Sequence, residues 1–298
     1  MAMEHSSSQS RVSRISMHPY AYEEGSISGR PGGAPTIAYQ LSLPEGAKAA
    51  VLLLHGYGEH GGRYRRVIAR WAQKKIATAV PDLRGHGWSA GARGHCDRFS
   101  DYHQDVDDVL AVFRERVAAL PLFGFGHSFG GLITATYVLG HPGAFRGVVL
   151  SSPYFGLALQ VPKAKLLAGR IASRLVPWLA LPSGLEGKDV THDETLARLY
   201  DTDPLVNKDA TARWFTESSA AQRDLLARAA QIRAPIVIFQ AGADKVASPA
   251  AARAVFDRLG SADKRFDERP GLYHEILNEP NVGDALADEM ADWILGHL

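Results

Sequence analysis

The chain is poor in the features that mark specialised protein classes. It holds one cysteine, Cys96, so no intramolecular disulfide can form. No Cys/His spacing of the zinc-binding kind occurs. No run approaches the roughly 18 apolar residues of a membrane span. Neither sign of charge dominates: 33 Lys and Arg face 32 Asp and Glu, a net charge of +1, so no basic field argues for nucleic acid. A 46% hydrophobic and 22% charged composition excludes a chain disordered throughout. At 298 residues it can bury one large α/β domain or two smaller ones.

Residues 1–20 read MAMEHSSSQSRVSRISMHPY and lack the apolar segment of a secretory signal. The serine-rich stretch with Arg11, Arg14 and a single acid, Glu4, has a faint likeness to an organelle transit peptide. The simpler reading, adopted here, is a disordered leader. A lone thiol without an exported start fits a reducing compartment, so a cytoplasmic location is expected.

Beyond the leader, strand and helix patterns alternate. Strands are expected at 36–43, 49–54, 76–80, 122–125, 147–150, 235–240 and 264–267. Helices are expected at 64–75, 101–120, 130–139, 249–259 and 282–294. The run AAVLLL at 49–54 is that of a strand buried on both faces. In 101–120, Tyr102, Val106, Val109, Leu110, Phe113 and Val117 form one stripe, with Ser100 as the expected N-cap. Repeated β-α-β units predict an α/β fold, a mostly parallel sheet with helices on both faces. The alternation breaks between 154 and 232. That interval is too long for an ordinary crossover, so it reads as an inserted cap over the C-terminal edge of the sheet. The expected organisation is a core of 21–153 and 233–298 with a cap or lid of 154–232.

The pattern G-x-S-x-G occurs twice, at Gly87-Trp88-Ser89-Ala90-Gly91 and at Gly126-His127-Ser128-Phe129-Gly130. A nucleophile elbow needs a strand, a very tight turn and a helix, with small residues where side chains would strike their neighbours. Ser128 meets these demands: an apolar strand precedes it and GGLITATYVL follows. Ser89 lies in glycine-rich RGHGWSAGARGH with no helical pattern after it, and reads as a loop serine bonding local backbone.

A serine hydroxyl needs a base, and histidine titrates in the right range. After such an elbow the acid comes next in the chain and the histidine last. His141, His192, His274 and His297 follow Ser128. His141 ends the elbow's own helix, His192 lies in the insertion and His297 is expected to fray. His274, in a loop between the last strand and last helix, is the candidate base. Asp244 follows PIVIFQ at a strand's C-terminal end and is the candidate acid, with Asp267 and Asp203 as fallbacks. The glycine-rich loop His55-Gly56-Tyr57-Gly58-Glu59-His60 lets backbone amides approach a ligand. The amides of Tyr57 and Phe129 are the expected oxyanion donors, each of a kind worth about 3–4 kcal/mol in the transition state. His55 and His60 with Glu59 do not follow metal-site spacing; His55 reads as a packing and loop-bracing residue, and His86 likewise as a loop-bonding histidine. Cys96 reads as an ordinary cysteine. This chemistry calls for no cofactor and no metal.

Together these residues resemble the monoacylglycerol lipase and lysophospholipase-like branch of the α/β-hydrolase family. The resemblance runs from about Val51 to the C-terminus through LLLHGYGEHGGRY, DLRGHGWSAGARGH, GFGHSFGG, TDPLV at 202–206, QAGADKVASP and SADKRFDERPGLYHEILNEP. It implies an α/β-hydrolase fold with an inserted helical cap, Ser128 as nucleophile, Asp244 as acid, His274 as base, and Tyr57 and Phe129 as oxyanion donors. Phe129 stands where methionine is common, and Gly124 weakens the strand before the elbow.

In the insertion, VPKAKLLAGRIASRLVPWLAL at 161–181 places Leu166, Leu167, Ile171 and Leu175 on an apolar helix face beside Arg170 and Arg174, with Trp178 extending it. The resemblance implies a lid that shields an acyl tunnel and touches lipid, with Leu166, Leu167, Ile171 and Trp178 as its substrate and lid residues. An ordinary cap helix with solvated cations fits the same pattern. The expected activity is hydrolysis of a monoacylglycerol or similar single-chain ester through an acyl-enzyme. A lysophospholipase or general carboxylesterase would use the same residues, and a non-catalytic ligand-binding protein could share the fold. Expected partners are a small lipid or ester and, transiently, a membrane or micelle surface, with no nucleic acid.

Overall fold

The computed structural model describes residues 13–14, 22–29, 34–158 and 163–298, and the side chains of 22–29, 34–158 and 167–298. Of the expected leader, only Ser13–Arg14 (β1) falls among them, paired antiparallel with Tyr22–Ile27 (β2); the rest lies outside the described residues. β2 pairs antiparallel with Ile37–Ser42 (β3), and β3 with Ile76–Pro81 (β5). From β5 the sheet continues in parallel through Ala49–Leu54 (β4), Leu122–His127 (β6), Gly147–Ser151 (β7), Ile236–Ala241 (β10) and Lys264–Arg269 (β11). This is the α/β-hydrolase fold.

Alternation along β4 shows why its continuous apolar run is needed. Ala50, Leu52 and Leu54 enter one core with Ser100–Val117 (α2), Ser128–Gly140 (α3) and Pro249–Arg258 (α8). Ala49, Val51 and Leu53 enter a second core with Arg65–Gln73 (α1) and Gly283–Gly296 (α9). A strand covered by helices on both faces has no solvent side to mark with polar residues. Outside the second core, Arg66 and Arg70 of α1 and Lys74 at its C-terminal cap pair with Asp284, Asp288 and Asp292 of α9.

β4 and β6 are neighbours in register Leu54–Gly126. The chain leaves β4 for β5 on one side and returns to β6 on the other. Their carboxyl ends therefore open onto the crevice of a topological switch point, where ligands bind in such sheets. One expectation fails at α2: Ser100 is its first helical residue, not its cap, and Phe99 holds the cap position with no side-chain cap bond.

β7 and β10 are adjacent, Val148 beside Ile236, yet 84 residues separate their ends. That interval carries Lys163–Leu175 (α4), Ala180–Pro182 (β8), Gly187–Val190 (α5), Glu194–Thr202 (α6), Asp209–Thr211 (β9) and Ala212–Arg228 (α7), with β8 and β9 paired antiparallel. α7 runs from Trp214 down to Leu225, which is wholly buried in the first core. Among the described residues no helix is long and apolar enough to cross a membrane.

Candidate active site

β6 runs without a loop into α3, and Ser128 takes the turn with φ +51°, a left-handed angle that costs a non-glycine residue energy. The flanking glycines answer a steric demand. A Cβ at 126 would overlap the Gly130 carbonyl oxygen, and a Cβ at 130 would overlap that of Leu54. At Gly131 a Cβ would stand 2.9 Å from Pro153 Cβ. Gly124 is explained in the same way, since a Cβ there would press on Phe145 and Thr134 at 3.0 Å.

The structure brings Ser128, His274 and Asp244 together. Ser128 Oγ lies 2.8 Å from His274 Nε2, and His274 Nδ1 lies 2.7 Å from Asp244 Oδ2. All three are buried. Asp244, just past β10, is itself held: its Oδ1 accepts the amides of Val246 and Ala247 at 2.8 and 2.9 Å, and Gln240 Nε2 donates to Oδ2 at 3.3 Å. The loop carrying His274 is pinned at both sides, with the Ala243 amide donating to Leu272 O and the Glu275 amide to Val190 O of the insertion. Burial pushes the His274 imidazole down, but the Asp244 carboxylate and its hydrogen bond outweigh it, so the net direction is up. A second histidine, His127, lies with its ring 4.9 Å from that of His274. Burial and the His274 charge push it down to about 4, so at neutral pH it stays uncharged.

The loop after β4 sits against this group. A Cβ on Gly56 would stand 3.2 Å from Ser128 Cβ, and Tyr57 follows directly. Phe129 is the second residue of α3, whose first-turn amides have no partner within the helix. The two expected donors thus flank Ser128 on backbone that other contacts hold. Tyr57 Oη donates to Asp209 O at 2.6 Å, and its ring lies 3.8 Å from that of Trp214. Phe129 is fully buried edge-on against Tyr57, Tyr102 and Trp214, an aromatic box that a phenyl ring fills.

Sequence reasoning missed the ionic network behind this loop. Glu59 accepts the Gly56 amide at 2.6 Å and the Tyr64 hydroxyl at 2.7 Å on one oxygen, and Arg63 Nε at 3.0 Å on the other. Arg63 also donates to Glu275 at 2.6 Å. Burial raises the Glu59 carboxyl, but Arg63, His127, His55 and the Tyr64 hydrogen bond prevail and hold it at about 2. One guanidinium therefore ties the loop after β4 to the residue next to His274. The available signal was a Glu and an Arg, four apart, inside a glycine-rich loop.

The TDPLV segment braces the same loop from the insertion. Asp203 meets His60 Nε2 at 2.9 Å, and the Asn207 amide donates to Gly58 O at 2.6 Å. Asp267, the other fallback acid, pairs with Arg265 and Arg269 along β11. His55 braces its loop by bonding Gly56 O and accepting the Leu83 amide at 2.9 Å. His86 bonds Arg84 O. His297 does not fray; it stacks on Trp293 and meets Asp263 at 3.1 Å. Burial pushes the Cys96 thiol up to about 12, as for an inert cysteine.

A cavity of about 630 Å³ opens above Ser128 and His274. Its floor includes Gly56, Tyr57 and Tyr154, and its roof comes from the insertion, with Leu179, Leu185, Val190, Trp214 and Phe215 among the apolar lining. From α4 it is Ala168, Gly169 and Ala172 that face it. This corrects the substrate-lining half of one expectation. Leu167, Ile171 and Trp178 do not line the cavity; they are 58%, 52% and 70% exposed, on the outer surface of the insertion. Of the described α4 side chains, the small ones allow close approach to the site and Leu167 and Ile171 turn outward. The side chain of Leu166 lies outside the described residues.

Comparisons with known proteins place the chain in a family. The family profile described as serine aminopeptidase, S33, matches residues 45–281. A monoacylglycerol lipase of Mycolicibacterium smegmatis is 30% identical over 268 residues, covering 89% of this chain and 95% of that protein. Phospholipase YtpA of Bacillus subtilis is 32% identical over 238 residues, covering 79% and 91%. Among solved structures, the monoacylglycerol lipase of Paleococcus ferrophilus superposes with a TM-score of 0.81 at 27% identity, covering 89% of this chain and 100% of that one.

Proposed function

Since the chain belongs to the serine aminopeptidase S33 family, on the α/β-hydrolase fold, we propose that it is a serine ester hydrolase that cleaves monoacylglycerols through an acyl-enzyme. The observation that carries this reading is the relay from Ser128 Oγ to His274 Nε2 at 2.8 Å and from His274 Nδ1 to Asp244 at 2.7 Å, beneath a cavity with an apolar roof. Relatives named as lipases and a phospholipase support an ester rather than a peptide substrate.

In this reading the acyl chain lies along the apolar lining and its carbonyl carbon meets Ser128 Oγ. His274 takes the hydroxyl proton as the C–O bond forms, and Asp244 holds the imidazole in the tautomer whose Nε2 is free to do so. The carbonyl oxygen, now negative, rests on the Tyr57 and Phe129 amides. His274 returns the proton to the departing glycerol oxygen. Water then attacks the acyl-enzyme by the same relay and the free acid leaves. Because both oxyanion donors are main-chain groups, side-chain changes at 57 and 129 act only by disturbing the loops that aim them.

The outer face of the lid fits a lipid surface. Leu167, Ile171 and Leu175 recur every fourth residue, Trp178 follows, and all four are exposed beside exposed Arg170 and Arg174. Such a face docks at an anionic interface. Co-sedimentation with anionic vesicles checks it, and no binding removes this part of the reading. For the reaction, a fluorophosphonate probe should label folded wild type at Ser128, and purified protein should release fatty acid from monoacylglycerol. Failure of both in folded protein would leave the rival, a non-catalytic ligand-binding protein.

A further inference from the structure

Among the charged side chains that line the cavity, Glu59 and Glu275 are buried, whereas Lys245 is exposed. It stands next to Asp244 in the chain, and its ammonium rests over the Tyr273 ring, 3.9 Å from the centroid. The carboxylates that neighbour Lys245, Tyr273 or His274 in the chain or in the hydrogen-bond network have partners of their own. Asp244 is turned to His274 and to two amides. Glu279 accepts the Tyr273 amide at 3.0 Å and meets His192 Nδ1 at 2.8 Å. Glu275 takes Arg63 and Asn278 at 2.6 and 2.7 Å. Among the described residues the contact shown for Lys245 is therefore the Tyr273 ring face, and such a contact at an exposed site is weak enough to yield to an anion.

The apolar lining suits the acyl chain, so a charged, exposed side chain on the same cavity belongs with the polar alcohol half of the ester. Resting on the ester-hydrolase reading above, we propose that Lys245 binds an anionic group on that half. The substrate class favoured at this mouth is then a single-chain acyl glycerol bearing a phosphate, in preference to the neutral monoacylglycerol. The lysine acts on binding alone. The ester bond broken and the fate of its proton are unchanged.

The test compares octanoylglycerol with octanoylglycerol 3-phosphate, both kept monomeric so that surface attraction by the lid arginines plays no part. The readout is the ratio of kcat/KM for the phosphorylated over the neutral ester. K245M should lower that ratio about tenfold, acting through KM, with K245E lowering it further and K245R staying close to wild type. Rising salt should lower the wild-type ratio towards that of K245M. Lys245 is exposed, so these variants should fold, and the salt series needs no variant at all. A ratio that moves less than about twofold in both K245M and K245E, or that ignores salt, overturns the proposal and leaves the hydrolase intact. Hydrolysis of neither ester by wild type overturns the function on which it rests.

Discussion

The pattern G-x-S-x-G occurs at 87–91 and again at 126–130, and glycine is needed for a different reason in each. At 126–130 the serine carries the unusual angle, φ +51°, while the glycines keep ordinary angles and serve only to clear the backbone of Gly130 and Leu54. At 87–91 the glycines carry positive angles, +48° and +107°, and the serine does not. Ser89 Oγ donates to Asp82 O at 2.6 Å and accepts the Ala38 amide at 2.9 Å, so it staples a loop to β3. Ser128 Oγ faces a histidine and a cavity. A hydroxyl whose lone pairs and proton are spent on backbone cannot attack a carbonyl. The motif becomes an elbow only when a strand and a helix meet at its serine.

The widest separation between the two serines should come from S128A, which removes the attacking atom. A loss of about 10⁶ in kcat on a short-chain ester is expected, against a near wild-type rate for S89A. Comparable losses in both would erase the distinction. D244N is the next largest. It should cost about 10⁴ in kcat, because an amide cannot hold the imidazole tautomer or stabilise its cation. It should also move the acid limb. His274 is raised in the wild type, and the base must be neutral to act, so the limb of kcat/KM lies above the ordinary imidazole value of about 6.5. Without the carboxylate, burial is opposed only by the smaller influences of Glu275 and Glu59, and the limb should fall. A limb that stays in place in D244N would mean another group sets it.

The glycines separate the two sites on stability. G130A forces a methyl into the Leu54 carbonyl and should destabilise the fold by more than about 3 kcal/mol in denaturant melts. A G130A protein as stable as wild type would contradict the clearance argument. S89A should be the mildest, costing about 1 kcal/mol because the part-buried Ala38 amide loses its acceptor, with turnover retained. Acid should act on the network behind the elbow in a definite direction. Glu59 is held at about 2, below its unfolded value of about 4.3, so its contribution is present above that value and drains as pH falls towards 2. E59Q should flatten that part of the stability–pH curve.

The element pattern was legible because each strand and helix of the core announces itself within a few residues. Ala49–Leu54 lies where the apolar run places it. The strand at 122–125 in fact extends to His127, because the elbow leaves no loop between strand and helix. Ser100 misled because its residue type suits a cap, whereas the chain enters α2 one residue earlier, through Phe99. His192 was set aside as a residue of the insertion. It proves to stack on Tyr273 at 3.7 Å, one residue from His274, and no local pattern carries that information.

By itself the sequence determined the alternation of strands and helices, which of two serines could sit on an elbow, and the chain order of its partners. Those follow from sterics and periodicity between near neighbours, and near neighbours are written next to one another. Only the tertiary structure decided which face of α4 looks into the cavity, that one guanidinium serves both Glu59 and Glu275, and that Lys245 rests on the Tyr273 ring. A helix has an apolar stripe whether it faces a core, a ligand or a lipid surface. What lies across from it is set by chain far away in sequence, and only folding brings the two together.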